Sequence, residues 1–236
     1  MTTVPYALHS LLLMQPNANS EGIGRSLFSP AASTMGLLIG FLLNQSQANF
    51  REVEKVVNTE SSKINQLDRL LLRFGSNEAL MVRIQLKSYI ESIINDEWPN
   101  LSKGMGSSKT HMLWRTISQN LFKLDASTPK KLSNYSDIIK LSEDVAYSRE
   151  TRIDSSANAL PRIFWIVIAI CLFANIFIET LFMPLEHFRY GLAIMPIIFG
   201  GLISLLVITD QPFKGEYSIA PSSLKKVLLS IESRTS

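Results

Sequence analysis

The sequence has little of what builds most metal sites, disulfide frameworks and soluble surfaces: one cysteine, three histidines and few charged residues. Cys171 has no second cysteine to pair with, and one cysteine with three scattered histidines cannot close a zinc cage. Charged residues make up 18% of the 236 residues, below the roughly 25% typical of soluble domains. A hydrophobic content of 46% excludes a disordered chain. We therefore expect an integral membrane protein with a water-facing part.

The sequence also lacks the motifs that carry catalysis or phosphate binding. It contains no glycine-rich phosphate loop, no G-x-S-x-G elbow and no H-E-x-x-H pair. A formal net charge of +3 is too small for the concentrated basic face that binds nucleic acid. We therefore expect no enzyme activity, no catalytic residue, no metal or cofactor, and no nucleic-acid partner.

Apolar residues are concentrated in two long segments of the C-terminal half. The segment 162–184 has one ionisable residue after its first, Glu179, and the segment 189–209 has none after its first. A bilayer core of roughly 30 Å needs about 20 helical residues, so both segments should cross it as a hairpin. The segment 25–44 is also uncharged after its first residue and is just long enough, which predicts one more span.

The N-terminal segment 1–24 is apolar only over residues 4–14, where Pro5 interrupts it. About 11 residues are too few to cross a bilayer as a helix. We expect this segment to lie in the membrane interface or to insert halfway. With three spans, the N-terminus and the C-terminus would lie on opposite sides of the membrane.

Basic residues lie beside the predicted spans. The region 45–162 holds 17 of the 23 Lys and Arg residues, and the tail after residue 209 adds four more. Lys and Arg near the ends of spans mark the cytoplasmic side of a membrane. We therefore expect a cytoplasmic domain over 45–161 and a cytoplasmic tail over 210–236, in a bacterial inner membrane.

Apolar residues recur with alternating three- and four-residue spacing from Phe50 to Phe74, and the same register continues back to Gly36. This spacing predicts one long helix that begins as the first span and ends before Gly75. No segment long enough for a sheet alternates with a period of two, so the expected fold class is all-α, with about three transmembrane helices and a helical cytoplasmic bundle. Further helices are predicted from 76–77 to 98, from 107–108 to 128, from 130 to 158 and from 222 to 233.

Several short motifs are typical of a known family. They are Gly40-Phe41-Leu42-Leu43 at the end of the first span, the turn Asp96-Glu97-Trp98-Pro99, and the segment 210–221 after the last span, together with Glu60, Tyr89, Gly104, Arg149, Arg152, Pro161 and Trp165. On these residues the sequence resembles the bacterial and plant bestrophin-like membrane family, over about residues 33–229. The resemblance implies a bestrophin-like topology and, by analogy with bestrophins, an oligomeric anion channel. The family's fuller first hydrophobic segment is shortened here to residues 4–14, and no bestrophin site residue is carried over.

Six residues are candidates to line a path for small inorganic ions: Gly36, Ile39, Gly40, Leu43, Asn175 and Glu179. The spacing of Gly36 and Gly40 permits close helix approach, either in a ring of first spans or in packing within one chain. Cys171, Asn175 and Glu179 recur every four residues and form a polar stripe. This stripe lines an aqueous path or a contact between subunits; in the alternative, Glu179 reaches out to the membrane surface.

Seven residues are candidates for structural or gating roles: Glu60, Glu97, Trp98, Pro99, Pro212, Phe213 and Gly215. A carboxylate within an apolar stripe needs a partner, so Glu60 either fixes helix register or belongs to a ligand site. Trp is favoured near the membrane surface, which makes Glu97, Trp98 and Pro99 an anchor; the alternative is a cation site at Asp96 and Glu97. The prolines and glycine of the tail predict a turned segment after the last span.

Together these patterns favour a homo-oligomeric channel or pore for small ions in a lipid bilayer, with anions favoured by the family resemblance alone. Permeation would pass an apolar constriction, gated by wetting and by tilt of the long first helix. The alternative is a non-conducting membrane scaffold or sensor whose cytoplasmic helical bundle binds a protein partner.

Overall fold

The computed structural model describes residues 18–182, 185–215 and 217–234. All regular structure in these residues is helical, which confirms the expected all-α fold class. Most of the predicted interfacial segment, residues 1–17, lies outside the described residues, as do residues 183–184 at the predicted hairpin turn. The helices are α1 (Ala18–Phe74), α2 (Asn77–Ser92), a π-helix (Ile93–Glu97), α3 (Trp98–Leu101), α4 (Ser108–Leu121), α5 (Pro129–Ser156), α6 (Arg162–Phe182), α7 (Leu185–Thr209) and α8 (Ser222–Ser233).

Helix α1 runs without a break for 57 residues, as the apolar spacing predicts. One face of it is buried at three- and four-residue intervals, for example at Ile64, Leu67 and Leu71. Residues 18–24, which the sequence assigned to the interfacial segment, already belong to this helix. The helix ends where Gly75 takes a φ of +71°, a left-handed conformation that a side chain disfavours.

The chain divides into two compact units, and the first comprises Met1–Ala48 and Ala159–Asp210. It contains the N-terminal part of α1 together with α6 and α7. The hydroxyls of Ser46 and Thr209 lie 3.0 Å apart, and the backbone N–H of Leu160 donates to Asp210 Oδ1 at 2.7 Å. Its core consists of two small apolar clusters, one of Met35, Ile39 and Phe199, and one of Leu42, Leu160, Ile168 and Leu206.

Among the described residues, two helices are long and apolar enough to cross a bilayer. These are the apolar part of α1, within Gly22–Phe74, and Arg162–Thr180 of α6. A shorter apolar stretch covers Ile197–Thr209 of α7, inside the third predicted span. Large apolar side chains on the outer surface of α6, such as Ile166, Ile170 and Phe173, are exposed. A soluble core helix would bury them, so this surface fits contact with lipid.

The second unit comprises Asn49–Asn158 and Gln211–Ser236. Its apolar core is shared by α1, α2, α4, α5 and α8, and the rings of Tyr89 and Trp114 pack there with centroids 4.9 Å apart. Ser76, Ser107 and Thr128 each accept a hydrogen bond from the backbone of a first helical turn, at α2, α4 and α5 respectively. The second unit is therefore a helical bundle, as the sequence predicts.

Two features of the second unit differ from the prediction. The helix predicted from residues 76–77 to 98 changes at Ile93 into a five-residue π-helix, Ile93–Glu97. The helix predicted to reach residue 128 ends at Leu121, seven residues earlier. Single π turns are rare and tend to occur where a side chain has a special task, and this one ends on Glu97.

Candidate functional site

The outward face of α1 in the first unit is polar or small at most positions. We call this the open face: Ser26, Ser29, Ser33, Leu37, Gly40 and Asn44, which follow one another at three- and four-residue intervals and are all exposed. The opposite face, with Met35, Ile39 and Leu42, is fully buried. The hydroxyls of Ser26 and Ser33 donate to helix carbonyls at 2.8 Å, so the cost of exposing this face to lipid tails falls mainly on Asn44. The open face therefore fits water or another protein at the end that carries Asn44.

Two large apolar side chains interrupt the polar character of this surface. Leu37 is 77% exposed, and Phe41, next to Gly40 at the edge of the open face, is 62% exposed. They lie about one helical turn apart, between the serines on one side and Asn44 on the other. The polar surface of α1 therefore contains a short apolar stretch.

The four α1 residues predicted to line a pore do not share one environment. Ile39 is fully buried against Met35 and Phe199, while Gly36 and Leu43 are half-buried and Gly40 is exposed. No described atom lies within 4 Å of the position that a Cβ would take at Gly36 or Gly40. These glycines are therefore not used for close helix packing among the described residues of this chain.

The predicted polar stripe of α6 faces the interior of the first unit. Asn175 Nδ2 donates to the carbonyl of Cys171 at 2.8 Å and lies 3.8 Å from Met35 Sδ on α1. Asn175 and Glu179 are both 5% exposed. Asn175 Oδ1 has no hydrogen-bond partner among the described residues. The structure thus brings Asn175 close to α1, on its buried side rather than on the open face.

A network of four charged side chains lies at the centre of the second unit. Arg152 of α5 donates to both oxygens of Glu60 on α1, at 2.6 and 3.2 Å, and to Glu97 Oε1 at 2.7 Å. Arg149, one turn before Arg152, donates to both oxygens of Glu97, one of them at 3.1 Å. The backbone N–H of Ser107 adds a bond to Glu97 Oε2 at 3.0 Å. The network ties α1, the π-helix and α5 together.

The formal charges of this network balance, and three of its four side chains are hidden from water. Glu60, Glu97 and Arg152 are all fully buried. Burial by itself raises the pKa of Glu97, but the hydrogen bond from Arg149 and the charge of Arg152 outweigh it and hold that pKa below its usual value. For Arg152, burial acts to lower the pKa, and Glu60 and Glu97 together raise it. Glu97 and Arg152 are therefore both ionised at neutral pH.

The tail segment after the last span docks against this network. Trp98 Nε1 donates to the carbonyl of Ile219 at 3.1 Å, and its ring meets the ring of Phe213 edge-on at 5.4 Å. The guanidinium of Arg152 lies over the Trp98 ring, 5.4 Å from its centroid. Gly215, with a φ of +85°, makes the turn that leads back, and Ile219 N–H donates to the carbonyl of Pro212 at 2.8 Å.

Of the seven structural or gating candidates, the structure therefore joins six in one assembly. Glu60 and Glu97 are held by arginines, Trp98 packs on the tail, and Pro212, Phe213 and Gly215 shape that tail. Pro99 lies in the first turn of α3 and is exposed.

From the sequence, the arginines that complete the network, Arg149 and Arg152, were marked by the family resemblance and as basic residues before the second span, but not as partners of Glu60 or Glu97. Their three-residue spacing puts both on one face of α5, which is the signal that could have found them. A second buried pair was missed altogether: Arg83 Nε lies 2.7 Å from Asp68 Oδ1.

The carboxylates offer no cation site. Glu97 is occupied by its two arginines, and Asp96 pairs with Lys109 Nζ at 2.8 Å and accepts a bond from the Ser92 hydroxyl. Across the described part of the chain, no group of three or more His, Cys, Asp or Glu side chains is placed to hold a metal ion. The network of Glu60, Glu97, Arg149 and Arg152 carries no net formal charge and connects helices to one another.

Comparison with known proteins gives a family and a fold. The model of the bestrophin-like domain family matches residues 4–224. A crystal structure of a bacterial bestrophin homologue from Klebsiella pneumoniae has a TM-score of 0.74 at 12% identity, over 98% of this chain and 92% of that one. A point variant of that homologue gives a TM-score of 0.70 at 12% identity, over 97% of this chain and 93% of that one. Among curated proteins, no match is found.

Proposed function

The chain belongs to the bestrophin-like family, and from that membership we propose that it is the subunit of a homo-oligomeric membrane channel for small ions. The observation that carries the proposal is the open face of α1. Polar residues along one face of a membrane-spanning helix favour water beside them, and a ring of copies supplies a water-filled axis. A monomer in lipid would leave the exposed amide of Asn44 without water to hydrogen-bond, whereas the hydroxyls of Ser26 and Ser33 already donate to helix carbonyls.

In this proposal the narrowest part of the path is apolar. Leu37 and Phe41 are the most exposed large side chains of this part of α1, and in a ring they would form an apolar constriction that gates by wetting. Gly36, Gly40 and Leu43 line the same level of the path. Ile39, which is buried, supports this face from behind.

Asn175 and Glu179 take a secondary place in the proposed path. Both are buried, and Asn175 lies against the back of α1 rather than on its open face. Their influence on permeation would therefore pass through the position of α1. We expect Glu179→Gln to change gating more than conductance, and single-channel recording separates the two quantities.

The finer proposal is that small inorganic anions permeate. The exposed face of α1 continues beyond the span with Arg51 and Lys55. Positive side chains at the mouth of a path raise the local concentration of anions. From the positive-inside rule we infer that this mouth and the second unit lie on the cytoplasmic side, and we propose a bacterial inner membrane as the location.

Reconstitution in planar bilayers with single-channel recording in asymmetric KCl tests the proposal. Leu37→Ser makes the constriction easier to wet and should raise open probability severalfold. Ile170→Ser removes an exposed apolar side chain of the same size from the lipid-facing surface of α6, and should leave the currents unchanged. A reversal potential near that of chloride supports anions, and one near that of potassium overturns the anion proposal. A chain that inserts but never conducts favours the scaffold or sensor.

A further inference from the structure

On the buried side of α6, two polar side chains lie one helical turn apart within the predicted span. Asn175 and Glu179 are both buried, although the outer surface of the same helix is apolar and exposed. Residues four apart on a helix are neighbours, with Cβ atoms roughly 6 Å from each other. The amide and the carboxyl group can therefore reach one another. We call these two side chains the buried polar pair.

The amide of Asn175 is held in one orientation. Its Nδ2 donates to the carbonyl of Cys171 at 2.8 Å, a bond that an amide oxygen in the same place could not make. Exchanging the two amide atoms would set two acceptors against each other, so the hydrogen bond fixes which atom is oxygen. Asn175 Oδ1 is therefore an acceptor, and no donor among the described residues serves it. A buried amide oxygen needs a donor.

The carboxyl group of Glu179 also has no partner among the described residues. No hydrogen-bond donor lies within 3.5 Å of it, and no side-chain cation lies within 4.0 Å. Glu179 differs in this respect from Glu60 and Glu97 of the second unit, which are equally hidden from water but are held by arginines. Burial of Glu179 is thus not compensated by an opposite charge.

The helices packed against this level bring no charge to Glu179. Asn175 lies beside Met35 of α1, and the two helices cross the membrane in opposite directions, so Glu179 lies level with the α1 segment 26–35. That segment has no ionisable residue, and neither has 194–209 of α7. Beyond these segments, the next ionisable residues are Arg25, Glu186, His187 and Arg189. The first is exposed, and the side chains of the other three lie outside the described residues.

An ionised carboxylate without a cation is costly inside a membrane, and such a group takes up a proton instead. A protonated carboxyl group donates a hydrogen bond, whereas an ionised one only accepts. Asn175 Oδ1 is an acceptor that lacks a donor, so protonation of Glu179 satisfies both groups at once. We propose that the buried polar pair is a proton-binding site, in which Glu179 holds one proton at neutral pH and donates it in a hydrogen bond to Asn175 Oδ1.

Two other arrangements fit the contacts less well. A Glu179 side chain that reached the membrane surface would be exposed to water, and this one is buried. A metal ion in place of the proton would need further ligands. In the described part of the chain, no group of three or more His, Cys, Asp or Glu side chains is placed to supply them. A proton needs only the two groups that are present.

Loss of this proton would leave a carboxylate behind α1, on the side opposite the open face. The charge would draw water or a cation into the first unit and loosen the packing of Asn175 on Met35. This consequence rests on the proposed function, because it acts on the helix that would line the path. Raised pH should change the open probability of the parent protein at least twofold, and that of Glu179→Gln much less, because the glutamine amide imitates the protonated acid.

Infrared spectroscopy of the full-length protein in liposomes at neutral pH tests the site without any current. A protonated acid has a C=O stretching band that an ionised carboxylate lacks, so the spectrum of the parent protein minus that of Glu179→Gln should contain one acid band. Glu179→Asp, which keeps a shorter acid, should shift this band rather than remove it. The matched control, Glu150→Gln, removes an exposed glutamate of α5 and should reveal no acid band.

A second pair of variants tests the hydrogen bond. Asn175→Val removes the acceptor, so the acid band should move to higher frequency, because a carboxyl group that stops donating has a stiffer C=O bond. Asn44→Val makes the same change at an exposed position of α1 and should leave the band in place. Thermal melts verify that all variants fold.

The site is refuted if Glu179→Gln removes no acid band, or if Glu150→Gln removes the same one. An unchanged band frequency in Asn175→Val refutes Asn175 as the acceptor. Single-channel recording separates the site from the channel. An acid band in a chain that never conducts refutes only the channel, and currents without an acid band refute only the site. If the parent protein and Glu179→Gln respond equally to raised pH, the proton does not act on the gate.

Discussion

Replacing Arg152 by methionine removes the cation that two buried carboxylates share. Glu97 keeps the bonds from Arg149 and from the Ser107 N–H, but Glu60 has no other hydrogen-bond partner among the described residues. The substitution therefore leaves one fully buried carboxylate without compensation. Breaking a buried ion pair in this way costs about 3–5 kcal/mol.

The size of this effect can be read from thermal unfolding in detergent. For a chain of this length, each kcal/mol moves the midpoint by roughly 2–4 °C, so Arg152→Met should lower it by roughly 6–20 °C. Replacing both partners with apolar residues, in Glu60→Leu with Arg152→Met, removes the stranded charge. The double variant should therefore recover much of the loss, despite carrying one substitution more.

An exposed ion pair provides the control. Lys109→Met breaks the pair with Asp96, in which the side chains are 65% and 33% exposed, and should cost less than about 1 kcal/mol. The reasoning is refuted if Arg152→Met unfolds within a degree or two of the parent protein. It is also refuted if the double variant is no more stable than Arg152→Met alone, because the cost would then not lie in the stranded carboxylate.

Three further substitutions or conditions probe the same assembly. The pKa of Glu97 is lowered in the folded protein, so the ionised form of Glu97 stabilises the fold at pH values above the ordinary carboxyl pKa of 4.5. This stabilisation is lost as the pH falls through the lower pKa of the folded state. The melting midpoint should therefore drop on acidification, and it should drop less steeply in Glu97→Gln. Trp98→Phe keeps an aromatic ring against the tail but removes the bond to the Ile219 carbonyl, and should cost about 1 kcal/mol in melts at neutral pH. Gly215→Ala meets no atom within 4 Å, so its expected loss of about 1–2 kcal/mol comes from the left-handed backbone alone, and an unchanged midpoint would contradict it.

Helix α1 illustrates what the sequence could predict. The apolar spacing of α1 predicts a continuous helix. It also predicts which side of α1 is buried in the second unit, because most polar residues in that part of the helix face away from the core. In the first unit the same register identifies no such side, since apolar residues are acceptable both in the interior and towards lipid. Ile39 was therefore grouped with Gly40 from the sequence, and the structure separates them.

The ion-pair network marks a second limit. Because Glu60 is a carboxylate within an apolar stripe, the sequence indicates that it needs a partner, but it does not indicate which residue the partner is. Arg152 is 92 residues away in the chain, and Glu97 is 55 residues from Arg152. The sequence of one chain carries no distance information across such separations. The sequence did not predict the π-helix for a related reason. Its extra residue per turn sets the position of the Glu97 side chain, and no helix propensity of the residues in this segment indicates it.

The second unit is built from two separate stretches of sequence, and this determines when its core can form during translation. Leu224, Val227 and Ile231 of α8 belong to the same core as α2 and α4, and they are translated after α6 and α7. Synthesis of both C-terminal apolar helices must therefore precede closure of this core. Until α8 docks, the bundle displays the part of its apolar core that α8 covers, and this surface is open to aggregation and proteolysis.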